Sequence, residues 1–263
     1  MFTWCERRWA YCSLVCLLVG IGVTLPAFAV PTVTVSGSSI STGGKYVSFA
    51  VSNVDENATV QVYFDGVEGS NAAISSQLLG QYITCTTPPH VPGVVDVRIV
   101  FSTGEALDFP AAFTYWAMES GVIRRVDARS TAATPDGLSW STAYASLSKA
   151  LAVSQPSDIV WVAAGSYSTT LSDNNSIKMM FSISEGVAVY GGFSGTETAL
   201  EQRDWKENKT IIDGKNTALC VAAMPFTILD GFTLQNGKFA VGGGVFAAPY
   251  SMEKTECYVR NCT

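Results

Sequence analysis

Three aspartates in the second half of the chain, Asp204, Asp213 and Asp230, stand near Arg203 and Arg260. These residue types could gather a divalent cation or exchange protons with a sugar. Hydrolysis of a glycoside needs two carboxylates flanking one bond. The spacing argues against both uses. The second half contains no Asp-Asp pair or Asp-x-Asp, and Asp213 and Asp230 each precede a glycine, which is turn chemistry. Arg203-Asp204 reads as a local pair. His90 is the single histidine and lies within Pro89-His90-Val91-Pro92, a solvated-loop context rather than that of a triad base. Gly191-Gly192-Phe193-Ser194-Gly195 lacks the residue that a nucleophile elbow places between its serine and second glycine. Gly242 to Ala247 fits GxGxxA, but Pro249 follows where a helix should begin, so close backbone packing is the better reading. No catalytic residue, cofactor or metal ligand is assigned.

The aromatic residues suggest different chemistry. Trp161, Tyr167, Tyr190, Phe193 and Trp205 lie in or beside short runs closed by glycine. Rings aligned on one flank would stack on sugar faces, and Trp161, Tyr190, Phe193 and Trp205 are the candidate carbohydrate-stacking residues. The competing reading places these rings in the core or against a helix.

The elements that must carry these residues are strands. Ile159–Ala163 and Val187–Tyr190 are short β-prone runs, each followed closely by glycine. Similar runs return at 210–212, 219–221, 226–229, 244–246 and 257–259, the pattern of stacked coils in a solenoid. Ahead of them, Trp140, Tyr144, Leu147 and Leu151 recur at helical spacing after the N-cap candidates Ser139 and Ser141. A helix over 140–153 would cover the open end of the first coil. Residues 117–138 read as a connector rich in small and turn residues. Between Pro31 and Tyr115 the strands alternate, with Asp65-Gly66 as a hairpin signal after Thr59–Phe64, which implies a β-sandwich.

Residues 1–29 read as a signal peptide. Arg7 and Arg8 precede the uncharged apolar stretch Ser13–Leu25, and Ala27-Phe28-Ala29 supplies the cleavage site. A span needs about 20 apolar residues, so a membrane anchor is disfavoured, and no later stretch is long enough to span. The chain carries net charge −6, and loss of the leader makes it more acidic still. Nucleic acid is therefore not an expected partner. Of 7 cysteines, Cys85, Cys220, Cys257 and Cys262 lie beyond the leader, without metal spacing. Cys257 could pair with Cys262, or one of them with Cys220, but buried apolar packing is favoured.

Two resemblances refine this. Thr87-Pro88-Pro89-His90-Val91-Pro92-Gly93, with Pro31, Gly43-Gly44 and the closing Phe113-Thr114-Tyr115, resembles the IPT/TIG module of immunoglobulin-like domains over about residues 31–116. Asp136 through Tyr144, Asp158 through Tyr167, Val187 through Thr198, Gln202-Arg203-Asp204-Trp205 and Thr210 through Gly214 resemble the opening of right-handed parallel β-helices of the pectin-lyase-like superfamily. Gly243 to Phe246 and Tyr258 to Asn261 are similar to repeats of polymorphic outer-membrane proteins.

The expectation is an all-β chain: signal peptide 1–29, immunoglobulin-like sandwich 30–116, connector 117–138, then a capping helix and the first coils of a truncated right-handed parallel β-helix over 139–263. The resemblance implies a secreted or cell-surface binding or adhesion protein that contacts extracellular polysaccharide or a cell-surface ligand. The alternatives are a polysaccharide lyase or glycoside hydrolase with its active coils beyond Thr263, and a structural stalk. No cofactor is implied.

Overall fold

A computed structural model describes residues 31–77, 80–169, 178–240, 242–247 and 256–263. The expected leader lies outside them. Strand alternation is strictest in Tyr46–Ser52, where Val47, Phe49 and Val51 are buried and the residues between them are exposed. The first unit comprises β1 (Thr32–Thr34), β2 (Ser38–Ile40), β3 (Tyr46–Ser52), β4 (Val60–Phe64), β5 (Val67–Glu68), β6 (Ser70–Gln77), β7 (Gly80–Thr86), β8 (Gly93–Phe101) and β9 (Ala106–Trp116). They form two sheets, ordered β1-β3-β7-β6 and β2-β9-β8-β4-β5. All pairings are antiparallel except β2 with β9. Asp65 and Gly66 turn the β4–β5 hairpin with φ of 45° and 81°, the left-handed pair that matches strand twist. Phe49, Val62, Phe64, Ile83, Val97, Phe113 and Tyr115 share one core, with Phe64 and Phe113 meeting edge to face at 4.9 Å.

The second unit begins with β10 (Ile123–Val126), inside the stretch read as a connector. Then come α1 (Leu147–Val153), β11 (Ile159–Ala163), β12 (Gly165–Tyr167), β13 (Met179–Ile183), β14 (Ala188–Phe193) and β15 (Thr210–Asp213). The final strands are β16 (Leu219–Ala223), β17 (Thr227–Asp230), β18 (Phe232–Gln235), β19 (Val245–Ala247) and β20 (Cys257–Arg260). Their pairings are all parallel, in the orders β10-β11-β14-β17-β20, β12-β15-β18 and β13-β16-β19. From β11 onward, each strand pairs with the strand three later, so the chain visits the three sheets in rotation. Val160, Val189 and Leu229 are register partners in successive strands and belong to one buried core. The regular structure of the described residues is nearly all β.

The helix is shorter than 140–153. Residues 140–142 form a 3₁₀ turn, and α1 starts at Leu147. Tyr144 between them makes a parallel bridge to Val126, donating its N–H to Arg125 and accepting from Asp127. That tertiary pairing outweighs the helical spacing of Trp140 and Tyr144. The remaining α1 does pack on β10, β11 and β13, burying Leu147 and Leu151 in the core.

The two units touch at Trp116, the last residue of β9, whose ring lies 6.2 Å from that of Phe226 in a small cluster with Ile40. Gly186 makes room for it: a Cβ there would meet the indole at 2.5 Å. Lys45 Nζ and Glu185 Oε1 add an ion pair at 2.7 Å across the same junction. No described helix is long and apolar enough to cross a membrane.

Candidate functional site

The middle strands of the sheet β10-β11-β14-β17-β20, namely β11, β14 and β17, are buried on both faces. Trp161, Tyr190 and Asp230 are register partners along one column, with Arg125 before them and Arg260 after. Phe193 stacks on Trp161 at 4.8 Å, and the Arg125 guanidinium lies 5.2 Å from the Trp161 ring centroid and 6.0 Å from that of Trp140. Arg203 covers Tyr190 at 5.0 Å, and the Tyr190 hydroxyl donates to Glu119. Burial, and then that hydrogen bond, push the Tyr190 phenol up. Relative exposure is 3% for Trp161, 5% for Tyr190 and 0% for Phe193. The structure thus gathers three of the four stacking candidates into a covered cluster, because Met118, Trp140 and Leu200 close over them. Their faces are not open to a sugar. Tyr167 is also buried, and its hydroxyl donates to Ala163 O at 2.9 Å.

Trp205 is different: it remains partly exposed. Two glycines place it. A Cβ on Gly192 (φ +93°) would meet Trp205 Cα at 2.6 Å, and one on Gly231 (φ +81°) would meet Trp205 Cβ at 3.0 Å. Only glycine lets the 203–205 segment lie this close to the strands. Arg203 pins the segment through Nη2 to Asp230 Oδ1 at 2.8 Å and Nη1 to Gly191 O at 3.1 Å. Asp204 N–H donates to Gly192 O at 2.8 Å, and Asp204 Oδ1 accepts from the amides of Lys206 and Glu207 at 2.9 and 3.1 Å. The acids and Arg203 proposed for chemistry hold turns instead.

Beside Trp205 lies an open cleft of about 210 Å³. Lys206 and Lys209 line it from the same segment, and Gly231, Phe232 and Thr233 from the start of β18. Asn261 and Thr263 complete it from beyond β20. Lys206 Nζ lies 5.2 Å from the Trp205 ring. Asn261 Nδ2 donates to Asp230 Oδ1 at 2.9 Å, and the hydroxyls of Thr233 and Thr263 are 3.3 Å apart. No Asp or Glu side chain lines the cleft. The arrangement offers a partly exposed indole, hydroxyls, an amide and two cations, a set suited to a polar ligand with flat apolar faces.

The other candidates are committed elsewhere. Asp213 accepts from Lys215 N at 2.8 Å, Asn236 Nδ2 at 3.0 Å and Gln235 Nε2 at 3.2 Å. The Lys215 amide foremost, then Asn236, pull its carboxyl down to about 2. Arg260 lies 4.8 Å from the ring of Tyr258. The His90 ring lies tilted against that of Tyr115 at 5.0 Å within the first unit. Ser194 belongs to a self-closed loop that sequence reasoning missed. Glu197 takes the amides of Ser194, Gly195 and Thr196 at 2.6, 3.1 and 2.9 Å. Burial raises its carboxyl, but these donors outweigh that and leave it below the usual range. Trp140 Nε1 donates to Glu197 O at 2.8 Å, tying the loop to the first 3₁₀ turn. Among the described residues Cys85, Cys220, Cys257 and Cys262 are free thiols, Cys85 and Cys220 buried. Among the described residues there is no cluster of three metal-ligating side chains.

No family model matches the chain, and no curated protein matches it. A solved structure described as tandem Ig repeats of Dlar is similar over 37% of this chain and 58% of its own, at 16% identity and a TM-score of 0.22. A likeness that loose carries no argument about fold or function.

Proposed function

We propose that this is a non-catalytic binding protein, secreted or held at the cell surface, that contacts extracellular polysaccharide through the Trp205 cleft. In this reading residues 30–116 form an IPT/TIG-type immunoglobulin-like sandwich that serves as spacer or docking module. The second unit is a right-handed parallel β-helix, a reading supported by the parallel pairing of each strand from β11 to β17 with the third one after it. The single observation that carries the binding role is a partly exposed Trp205 beside an open cleft lined by hydroxyl and amide groups. Sugar recognition uses that combination, a ring against the C–H face and polar groups around its edge. Trp161, Tyr190 and Phe193 support the scaffold rather than touching ligand.

The test is a glycan array probed with the purified protein and with Trp205→Ala. The proposal expects a restricted set of glycans bound by the first and lost by the second. An array without signal, or a profile unchanged by Trp205→Ala, overturns it.

A further inference from the structure

We infer that the Trp205 cleft selects an anionic sugar, one carrying carboxylate or sulfate, rather than a neutral one. This rests on the reading of the cleft as a glycan site and narrows its ligand. The chain is acidic, with net charge −6, yet Lys206 and Lys209 both line this cleft and no Asp or Glu side chain does. Among the described residues neither lysine is in an ion pair. Of the nearby acids, Glu207 is exposed and outside the cleft lining, and Asp230 and Asp204 are already engaged. Asp230 is held by Arg203 and Asn261, with its side chain 7% exposed. Asp204 Oδ1 faces the amides of residues 206 and 207. Neither neutralises the lysines through a direct contact. Lys206 Nζ lies 5.2 Å from the Trp205 ring, so a sugar beside that indole brings any charged substituent close to an ammonium. Carboxylated and sulfated sugars share this chemistry, and measurement must separate them.

The experiment is titration of the purified protein with alginate (carboxylated), heparin (sulfated), dextran (neutral) and double-stranded DNA, at low and at physiological salt. The variants are Trp205→Ala, Lys206→Gln/Lys209→Gln and Lys206→Arg/Lys209→Arg. Exposed charge contacts change affinity by about 1.4- to 5-fold each, so the double Gln variant should weaken binding about 2- to 30-fold. The inference expects alginate, heparin or both to bind and dextran to bind less. It also expects a loss in Trp205→Ala, a loss of salt dependence in the Gln variant, and retention in the Arg variant. Whichever of the two anionic polymers binds names the substituent. Trp205-dependent binding of dextran that ignores the Gln variant overturns the charge selectivity and leaves the glycan site standing. No Trp205-dependent binding of any glycan overturns both. Equal binding of DNA, insensitive to Trp205→Ala, reduces the effect to unspecific attraction and also overturns the inference.

Discussion

Asp230→Ala should be among the most damaging single changes outside the apolar core. Its carboxylate is 7% exposed and meets Arg203, itself 12% exposed, at 2.8 Å. The same oxygen accepts from Asn261 at 2.9 Å. Removing it leaves the guanidinium with the Tyr190 ring and the carbonyl oxygens of Gly191 and Asp230, at 3.1 and 3.3 Å, but no carboxylate. Breaking a buried pair from one side costs about 3–5 kcal/mol, because the surviving charge stays desolvated. For a chain of this size that lowers Tm by roughly 6–20 °C. Arg203→Met removes the other partner, and the double variant removes the stranded charge as well. Thermal unfolding followed by circular dichroism measures all three. The double variant should lose clearly less than the sum of the singles, with a coupling of about 1–3 kcal/mol. A loss below about 1 kcal/mol in Asp230→Ala, or strict additivity, refutes the claim that this pair fastens Trp205 to the strands.

Three further outcomes follow from the same geometry. Leu147→Ala in α1, where the side chain is 2% exposed, should cost about 2–5 kcal/mol in urea denaturation, while Val153→Ala, at 42% exposed, should stay within about 0.5 kcal/mol. Asp213, held near 2 against about 3.9 when unfolded, contributes stability that is full above pH 4 and lost as pH falls toward 2. Asp213→Asn should therefore flatten part of the acid-unfolding curve in that window and lower stability at neutral pH. Gly186→Ala, at φ +73° with a Cβ placed 2.5 Å from the Trp116 ring, should cost at least about 1–2 kcal/mol and speed proteolysis between residues 117 and 121.

Much of the strand order could be read from the chain because alternation and glycine punctuation are local signals. β3, β4 with its Asp65-Gly66 turn, β11 and β14 lie close to where the pattern puts them. β6 escaped because Ser70–Gln77 is mostly polar and only Ala72 and Ile74 pack, partly buried, against the core, so pairing with β7 largely makes it a strand. β10 escaped because Arg124 and Arg125 interrupt its apolar run. Arg124 is matched by Asp158 at 3.4 Å, and Arg125 by Trp161, partners that become visible only in three dimensions. Trp140 and Tyr144 mimicked helical spacing while serving a 3₁₀ turn and a bridge. The candidate site was half legible. Trp205 was singled out, but nothing in the chain separates it from Trp161, since burial depends on which turns close over which sheet. The cleft itself draws Lys206, Thr233 and Asn261 from three places, and parallel stacking alone brings them together.

Hydroxyl-radical footprinting, read by mass spectrometry with and without the glycan that binds best on the array, tests the central claim most directly. Trp205 should oxidise readily in the free protein and become protected at saturating glycan. Trp161, at 3% exposed, should stay unreactive in both. Protection that appears elsewhere while Trp205 stays as reactive as before would contradict the account.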